Sequence, residues 1–379
     1  MLQLLLKSNR ATKPFLVGRN LASTLAQAPA NSSTLNIEAV NRRSLPIIHD
    51  TFTTTNANLL SDALEDFLPP AVVQTAGNGS LDLRPGYHLV YFPTRARNSD
   101  LLPDGTDKWH VPDKQWQYRL WAGGQIRFME QRPLRLDGLN YVLKEKLKIS
   151  RLTGGPEPDK VFLDVSRSIG LQAMSDSSKR LSIPDASQNN SIIHETRQLC
   201  FLKTPPKSLS GKHATRGRPP PTDPYYKHSL TPNAALLFRF SALTYNAHAI
   251  HLDREYARHE YGAPNLVVHG PLALVLIFEV FDRALSKYCA EKGKLRYAIR
   301  TIDYRNVAPL FVDEEMTICC KHIQDIPISE HPYCNPTQEW LVWIQKGQGT
   351  DSMVAVKGTI IVHEEVQIES PTSFRRKET

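Results

Sequence analysis

Hydrophobic and polar positions along this chain fall into short alternating runs, one long apolar run, and stretches with neither pattern. YHLVYF (87–92), QIRFMEQRPLRLDG (125–138), YVLKEKLKI (140–148) and SIIHETRQLCFLK (191–203) have the composition and spacing of strands with turn residues between them. AALLFRF (234–240) reads as another short strand. GPLALVLIFEVFDRALSKY (270–288) is different: it is apolar around most of its circumference before turning polar. Gly270 and Pro271 suit the N-cap and first position of a helix there, where a missing N–H costs nothing. A helix apolar on nearly all sides is a buried one and needs a sheet around it. Four candidate strands follow it directly: LRYAIRTIDYR, MTICCKHI, EWLVWIQKG and MVAVKGTIIVHEE. A long helix wrapped by antiparallel strands is an α+β unit.

The pattern also repeats. At an offset of 176 residues, Ile126, Phe128, Pro133, Leu134, Leu136 and Asp137 meet Ile302, Tyr304, Pro309, Leu310, Val312 and Asp313. Between the two copies lies TPPKSLSGKHATRGRPPPTDPYYKHSLTP, rich in proline, glycine and basic residues, which reads as a linker or long loop. The chain is therefore expected to hold two copies of one fold. The divisions are an N-terminal unit over 45–205, a basic linker over 206–230, a C-terminal unit over 231–365 and a tail over 366–379.

With 379 residues there is length for two such units, and no apolar run approaches the roughly eighteen residues of a membrane span. The formal charge of +8 raises the question of nucleic acid, and its distribution argues against it. Residues 1–37 contribute +4 and residues 203–230 contribute +5, which leaves the two candidate folded bodies close to neutral. The acid-free, Ser- and Ala-rich start, MLQLLLKSNRATKPFLVGRNLASTLAQAPA, has a transit-peptide composition, so residues 1–30 are expected to direct import into the mitochondrial matrix. Five cysteines without a C-x-x-C pair suggest neither a disulfide framework nor a zinc ribbon, in keeping with a reducing compartment.

Candidate chemistry concentrates in RFSALTYNAHAIHLD (239–253), where Asn246, His248 and His251 interrupt apolar residues. Asp253 precedes REYARHEY and suits a helix N-cap. Among His248, His251, His259 and His269, the pair His248-x-x-His251 has a tolerable metal spacing, but no H-E-x-x-H or matching cysteines accompany it, and no metal is expected.

The same block resembles the MaoC-like, or type-2 hydratase, family of hot-dog proteins, through Phe240, Ser241, Thr244, Asn246, His251 and Asp253 and through VVHGPLALVL (267–276). The double hot-dog branch that holds mitochondrial 3-hydroxyacyl-thioester dehydratases and mesaconyl-CoA hydratases is the more similar, and RLWAGGQIRF and PGYHLVYFPT resemble its first unit. The resemblance implies an α+β double hot-dog, two antiparallel sheets each around a central helix, with chemistry in the second unit and a substrate tunnel in the first. It implies reversible dehydration of (R)-3-hydroxyacyl thioesters without a cofactor, on acyl carrier protein or CoA substrates, with homodimerisation left open. An enoyl- or mesaconyl-CoA hydratase and a non-catalytic acyl-thioester-binding protein are the alternatives. For a dicarboxylic substrate, Arg239 and Arg254 are candidate cations.

In that reading His251 is the base, since its unperturbed pKa lies near neutrality. The N–H of Gly270, at the positive end of the long helix, faces the thioester oxygen. Ser241, Thr244, His248 and His269 fall among the substrate-binding residues. Asn246 stands where the wider family has an aspartate. An amide neither takes nor gives a proton near pH 7, so Asn246 is expected to orient the hydroxyl while His251 moves both protons.

Overall fold

The computed structural model describes residues 35–70, 82–129, 135–155, 157–172, 191–206, 218–293, 296–327 and 336–364. The candidate leader over 1–30, Pro133, Leu134, residues 207–217 of the basic linker, Cys334 and the tail over 366–379 lie outside the described residues.

A short helix α1 (Ile37–Asn41), strand β1 (Ile48–Thr51) and helix α2 (Thr54–Leu64) precede four long strands. These are β2 (Tyr118–Phe128), β3 (Asn140–Thr153), β4 (Lys160–Leu171) and β5 (Ser191–Leu202). The second half repeats the plan with β6 (Tyr226–Leu230), α3 (Ala234–Thr244), α4 (Arg254–Tyr261) and α5 (Gly270–Lys292). It ends with β7 (Tyr297–Asn306), β8 (Met316–Ile326), β9 (Thr337–Lys346) and β10 (Met353–Glu364).

All ten strands form one antiparallel sheet in the order β1-β3-β4-β5-β2-β7-β10-β9-β8-β6. Outward from the centre, β2-β5-β4-β3-β1 mirrors β7-β10-β9-β8-β6, as two copies joined edge to edge require. The register pinpoints the join. Ile126 pairs with Ile302, so the two residues related by the 176-residue offset face each other at the pseudo-dyad, both with no solvent exposure. The architecture is an α+β double hot-dog.

Helix α5 is the core of the second half, buried from Leu272 through Phe281 and again at Ala284, Leu285 and Tyr288. Glu279 lies on this helix at 2% exposure, neutralised by Arg84 at 2.7 Å and Arg283 at 3.0 Å. Arg283 also donates from Nε to the Pro69 carbonyl at 2.8 Å, so the charge cluster fastens the segment after α2 to the central helix.

Several elements differ from the reading of the sequence. AALLFRF is the start of helix α3, because Asn233 caps it by accepting from Leu236 N at 2.9 Å and the buried set Leu236, Leu237, Phe240, Ser241 follows helical spacing. YHLVYF is a 3₁₀ turn over Tyr87–Val90, opened by Gly86 at φ +88° and followed by Phe92 at φ +57°; its residues are buried consecutively rather than alternately. Strand β6 lies inside the range read as linker, and β4 was not anticipated although its inward positions alternate cleanly. His269, rather than Gly270, occupies the N-cap of α5, which puts Pro271 one position further in. A long central helix is present in the C-terminal half; among the described residues the N-terminal half carries only the short α1 and α2, of which α2 follows β1 as α3 follows β6.

Replacing Ile302 by alanine should cost about 2–5 kcal/mol, the range for deleting a fully buried branched side chain. Replacing the half-exposed Ile323 should change stability by less than about 0.5 kcal/mol. Urea denaturation of both variants measures the contrast.

Candidate active site

The polar block occupies the connection between α3 and α4. Tyr245 ends α3 in the left-handed region at φ +53°, its N–H bonding Ala242 O, and Asn246 N donates to Ser241 O at 2.9 Å. The chain then makes a 3₁₀ turn over Ala249–His251 and enters α4, where Asp253 accepts from Glu255 N and Tyr256 N at 2.9 and 3.0 Å. The N-cap role expected of Asp253 is what the geometry shows.

His251 is buried, and its Nδ1 is 2.6 Å from the Val267 carbonyl. A carbonyl only accepts, so the neutral ring carries its proton on Nδ1 and keeps its Nε2 lone pair for the cavity that His251 lines. Burial lowers its pKa to about 4, with the Val267 bond opposing and Arg119 assisting the shift. The imidazole is therefore an uncharged acceptor at neutral pH. His269 stacks on it at 3.6 Å between ring centroids and 23° between planes.

The other sequence-selected residues separate by position. Asn246 lines the cavity; its Oδ1 accepts from His248 N at 3.1 Å, which leaves the Nδ2 donors for a bound molecule. His248 also lines the cavity and meets His251 edge-on at 5.5 Å. Gly270 lines it at the start of α5, and among the described residues its N–H has no backbone partner. A side chain there would press on Trp121 at 3.1 Å and Asn306 at 3.2 Å. Thr244 borders the cavity, but its hydroxyl is spent on Phe240 O at 2.8 Å.

Ser241 and His269 do not line the cavity, contrary to the substrate-binding role expected of them. They lie one layer behind, where Ser241 Oγ and His269 Nε2 bond at 2.9 Å and hold the ring that stacks on His251. Arg239 is exposed, and Arg254 points to Asn265 and Asp313; neither lines the cavity. His259 is exposed on α4. Among the described residues no group of three or more His, Cys, Asp or Glu side chains is arranged to hold a metal ion.

The cavity, about 1000 Å³, draws its walls from both halves. From the first half, Gly105 at φ +80° passes so close to the motif that a Cβ would stand 2.0 Å from Ala247 O. Asp104 O accepts from Ala249 N at 2.8 Å in the same place.

The profile of the hydroxyacyl-thioester dehydratase type 2 family matches residues 86–312, across both halves and the whole motif. The chain belongs to that family. A mesaconyl-C(4)-CoA hydratase of Chloroflexus aurantiacus is 31% identical over 249 residues, covering 64% of this chain and 75% of that one. The mitochondrial hydroxyacyl-thioester dehydratase type 2 of Schizosaccharomyces pombe is 27% identical over 288 residues, covering 72% and 89%. Among solved structures, a MaoC-like dehydratase from Phytophthora capsici shares the fold, with a TM-score of 0.55 at 13% identity over 87% of this chain and all of that one. This hydroxyacyl-thioester dehydratase type 2 family member is a hydro-lyase.

Reading the sequence missed a chain of buried ion pairs along the cavity of this family member. Arg119 meets Asp107 at 3.3 Å, Asp107 meets His110 at 2.8 Å, and His110 meets Glu145 at 3.1 Å. Arg167 then bridges Glu145 at 2.9 Å and Glu195 at 2.7 Å, and Arg197 holds Glu195. Burial opposes the charge on His110, yet Asp107 and Glu145 raise its pKa to about 9. A signal was present: Glu145, Arg167, Glu195 and Arg197 hold inward positions of β3, β4 and β5 that alternation assigns to apolar residues.

Two outcomes follow for this site. Because the folded imidazole of His251 is depressed, it stays neutral as pH falls through 6.5 and gains its proton only near 4; the acid limb of kcat/KM should lie there. Gly105→Ala, by contrast, should displace the motif loop, with loss of activity and a destabilisation above about 1 kcal/mol in thermal melting.

Proposed function

We propose that this protein catalyses the reversible dehydration of (R)-3-hydroxyacyl thioesters to trans-2-enoyl thioesters, as a 3-hydroxyacyl-carrier-protein dehydratase of mitochondrial fatty acid synthesis. The observation that carries the reading is the Nδ1 bond of His251 to the Val267 carbonyl, which leaves a neutral Nε2 acceptor on a cavity bordered by Asn246 and the start of α5. His251 takes the proton from C2, beside the thioester carbonyl. The Gly270 N–H, with the positive end of α5 behind it, receives the charge that grows on the thioester oxygen. Asn246 donates from Nδ2 to the 3-hydroxyl and fixes its orientation. Organisation into an N-terminal unit that shapes the tunnel and a C-terminal unit that carries the base follows from this reading. The transit-peptide composition of residues 1–30 and the mitochondrial relative in Schizosaccharomyces pombe support import into the matrix.

A second reading, hydration of a dicarboxylic acyl-CoA, is favoured by one specific observation. Arg119 and Arg197 line the same cavity as His251, and a carboxylate on the acyl group would find a cation there. The mesaconyl-C(4)-CoA hydratase relative points the same way.

Steady-state assays of the full chain with crotonyl-carrier protein, crotonyl-CoA and mesaconyl-CoA test both readings. The first predicts the highest kcat/KM on the carrier protein, and His251→Ala should lower kcat by about 100-fold or more. Preference for mesaconyl-CoA, abolished by Arg119→Gln, would establish the second. Absence of turnover with all three would contradict both.

A further inference from the structure

Two buried polar atoms at the site face each other without a hydrogen bond. Asp104 Oδ2 and His248 Nε2 are 3.6 Å apart, on side chains exposed by 9% and 5%, and among the described residues neither atom has a hydrogen-bond partner. A buried polar atom left unpaired in this way costs folding free energy, which a role in function would account for. Asp104 itself is firmly held. Its Oδ1 accepts from Thr106 N at 2.9 Å and Thr106 Oγ1 at 2.7 Å, and its carbonyl anchors Ala249 N. The carboxylate is thus delivered from the first half and aimed by its own turn at a histidine of the second. His248 has Nε2 buried toward Asp104 and lines the cavity beside Asn246 and His251.

We infer that Asp104 is a positioning residue that pairs with His248 and makes it the acid of the reaction, supplying from the other half the carboxylate that position 246 lacks. The inference rests on the dehydration reading given above and deepens it. In the elimination, His251 Nε2 takes the C2 proton and the electrons of that C–H bond become the second bond between C2 and C3. The C3–O bond breaks, and its electron pair leaves with the oxygen, which takes the Nδ1 proton of the His248 imidazolium and departs as water. His251 ends charged and His248 neutral; one proton returned through water resets the pair, and hydration runs the same steps backwards.

The surroundings of His248 explain why the carboxylate is needed. It faces His251, Arg119 and the edge of Tyr261, none of them anionic at neutral pH, and burial, His251 and Arg119 all push its pKa well below the ordinary value. With Asp104 at 3.6 Å the imidazole is still held below its ordinary pKa, so it has a proton to give only once the carboxylate closes on it. The gap of 3.6 Å closes to a charge-assisted bond when the imidazole is charged.

Dehydration of (R)-3-hydroxybutyryl-CoA by the full chain, followed across pH, tests this with Asp104→Asn, His248→Gln and the double variant. Each single change should lower kcat by about 100-fold while KM stays within about threefold, since the lost interaction belongs to the transition state. The double variant should be no slower than the slower single one, because the two residues act as a unit. The alkaline limb of the kcat profile, which reports loss of the His248 proton, should move to lower pH in Asp104→Asn. Asp104→Asn at parental kcat with an unmoved limb, or singles whose effects multiply, would overturn the inference and leave one histidine moving both protons. If Asp104→Asn does not fold, His248→Gln with an unchanged alkaline limb overturns it equally. An inactive parent, by contrast, is failure of the dehydration reading itself.

Discussion

Everything at the site depends on the pairing of β2 with β7. Ile126 opposite Ile302 joins two five-stranded halves into one sheet, and the loops that lead into the two central strands are brought to a shared cavity. From the first half comes the turn of Asp104, Gly105 and Thr106; from the second come the polar connection after α3 and the start of α5. Neither half encloses the space alone. The clasp between Asp104 O and Ala249 N, with Gly105 against Ala247, ties the two contributions together two residues before the base in sequence.

Removal from water is the second theme, and it acts with opposite results on two histidines that line the cavity. Among the described residues no carboxylate is paired with His251, so burial keeps the imidazole neutral and ready to accept. Around His110 two carboxylates overcome the same penalty and hold it charged. The inward face of the first half-sheet is built for the second situation. Glu145, Arg167 and Glu195 are direct cross-strand partners on β3, β4 and β5, an arrangement that pairs each charge among buried apolar neighbours such as Leu143, Leu163 and Val165.

What the sequence disclosed follows from how local each signal is. Helix α5 and strands β7 to β10 were legible because their apolar pattern runs unbroken for ten residues or more, and the 176-residue echo marked the residues that meet at the pseudo-dyad. AALLFRF was too short for its period to be read, and its cap, Asn233, lay just outside the run. His251, Asn246 and Gly270 were found as one contiguous block. Asp104 was not, because it lies 144 residues before His248 and nothing in LLPDGTDKWH sets it apart from a turn. Ser241 and His269 were misplaced by one layer, since a motif records which residues travel together and not which of them reach the cavity.

The central claim is that His251 stands at the cavity as a neutral imidazole with its proton on Nδ1. Nitrogen-15 chemical shifts of the histidine rings, assigned with a His251→Gln variant and read at pH 7, report protonation and tautomer for that ring directly. A protonated Nδ1 beside an unprotonated Nε2 is the expected result, persisting as pH falls toward 5. A charged ring at pH 7, or a proton on Nε2, would contradict the account.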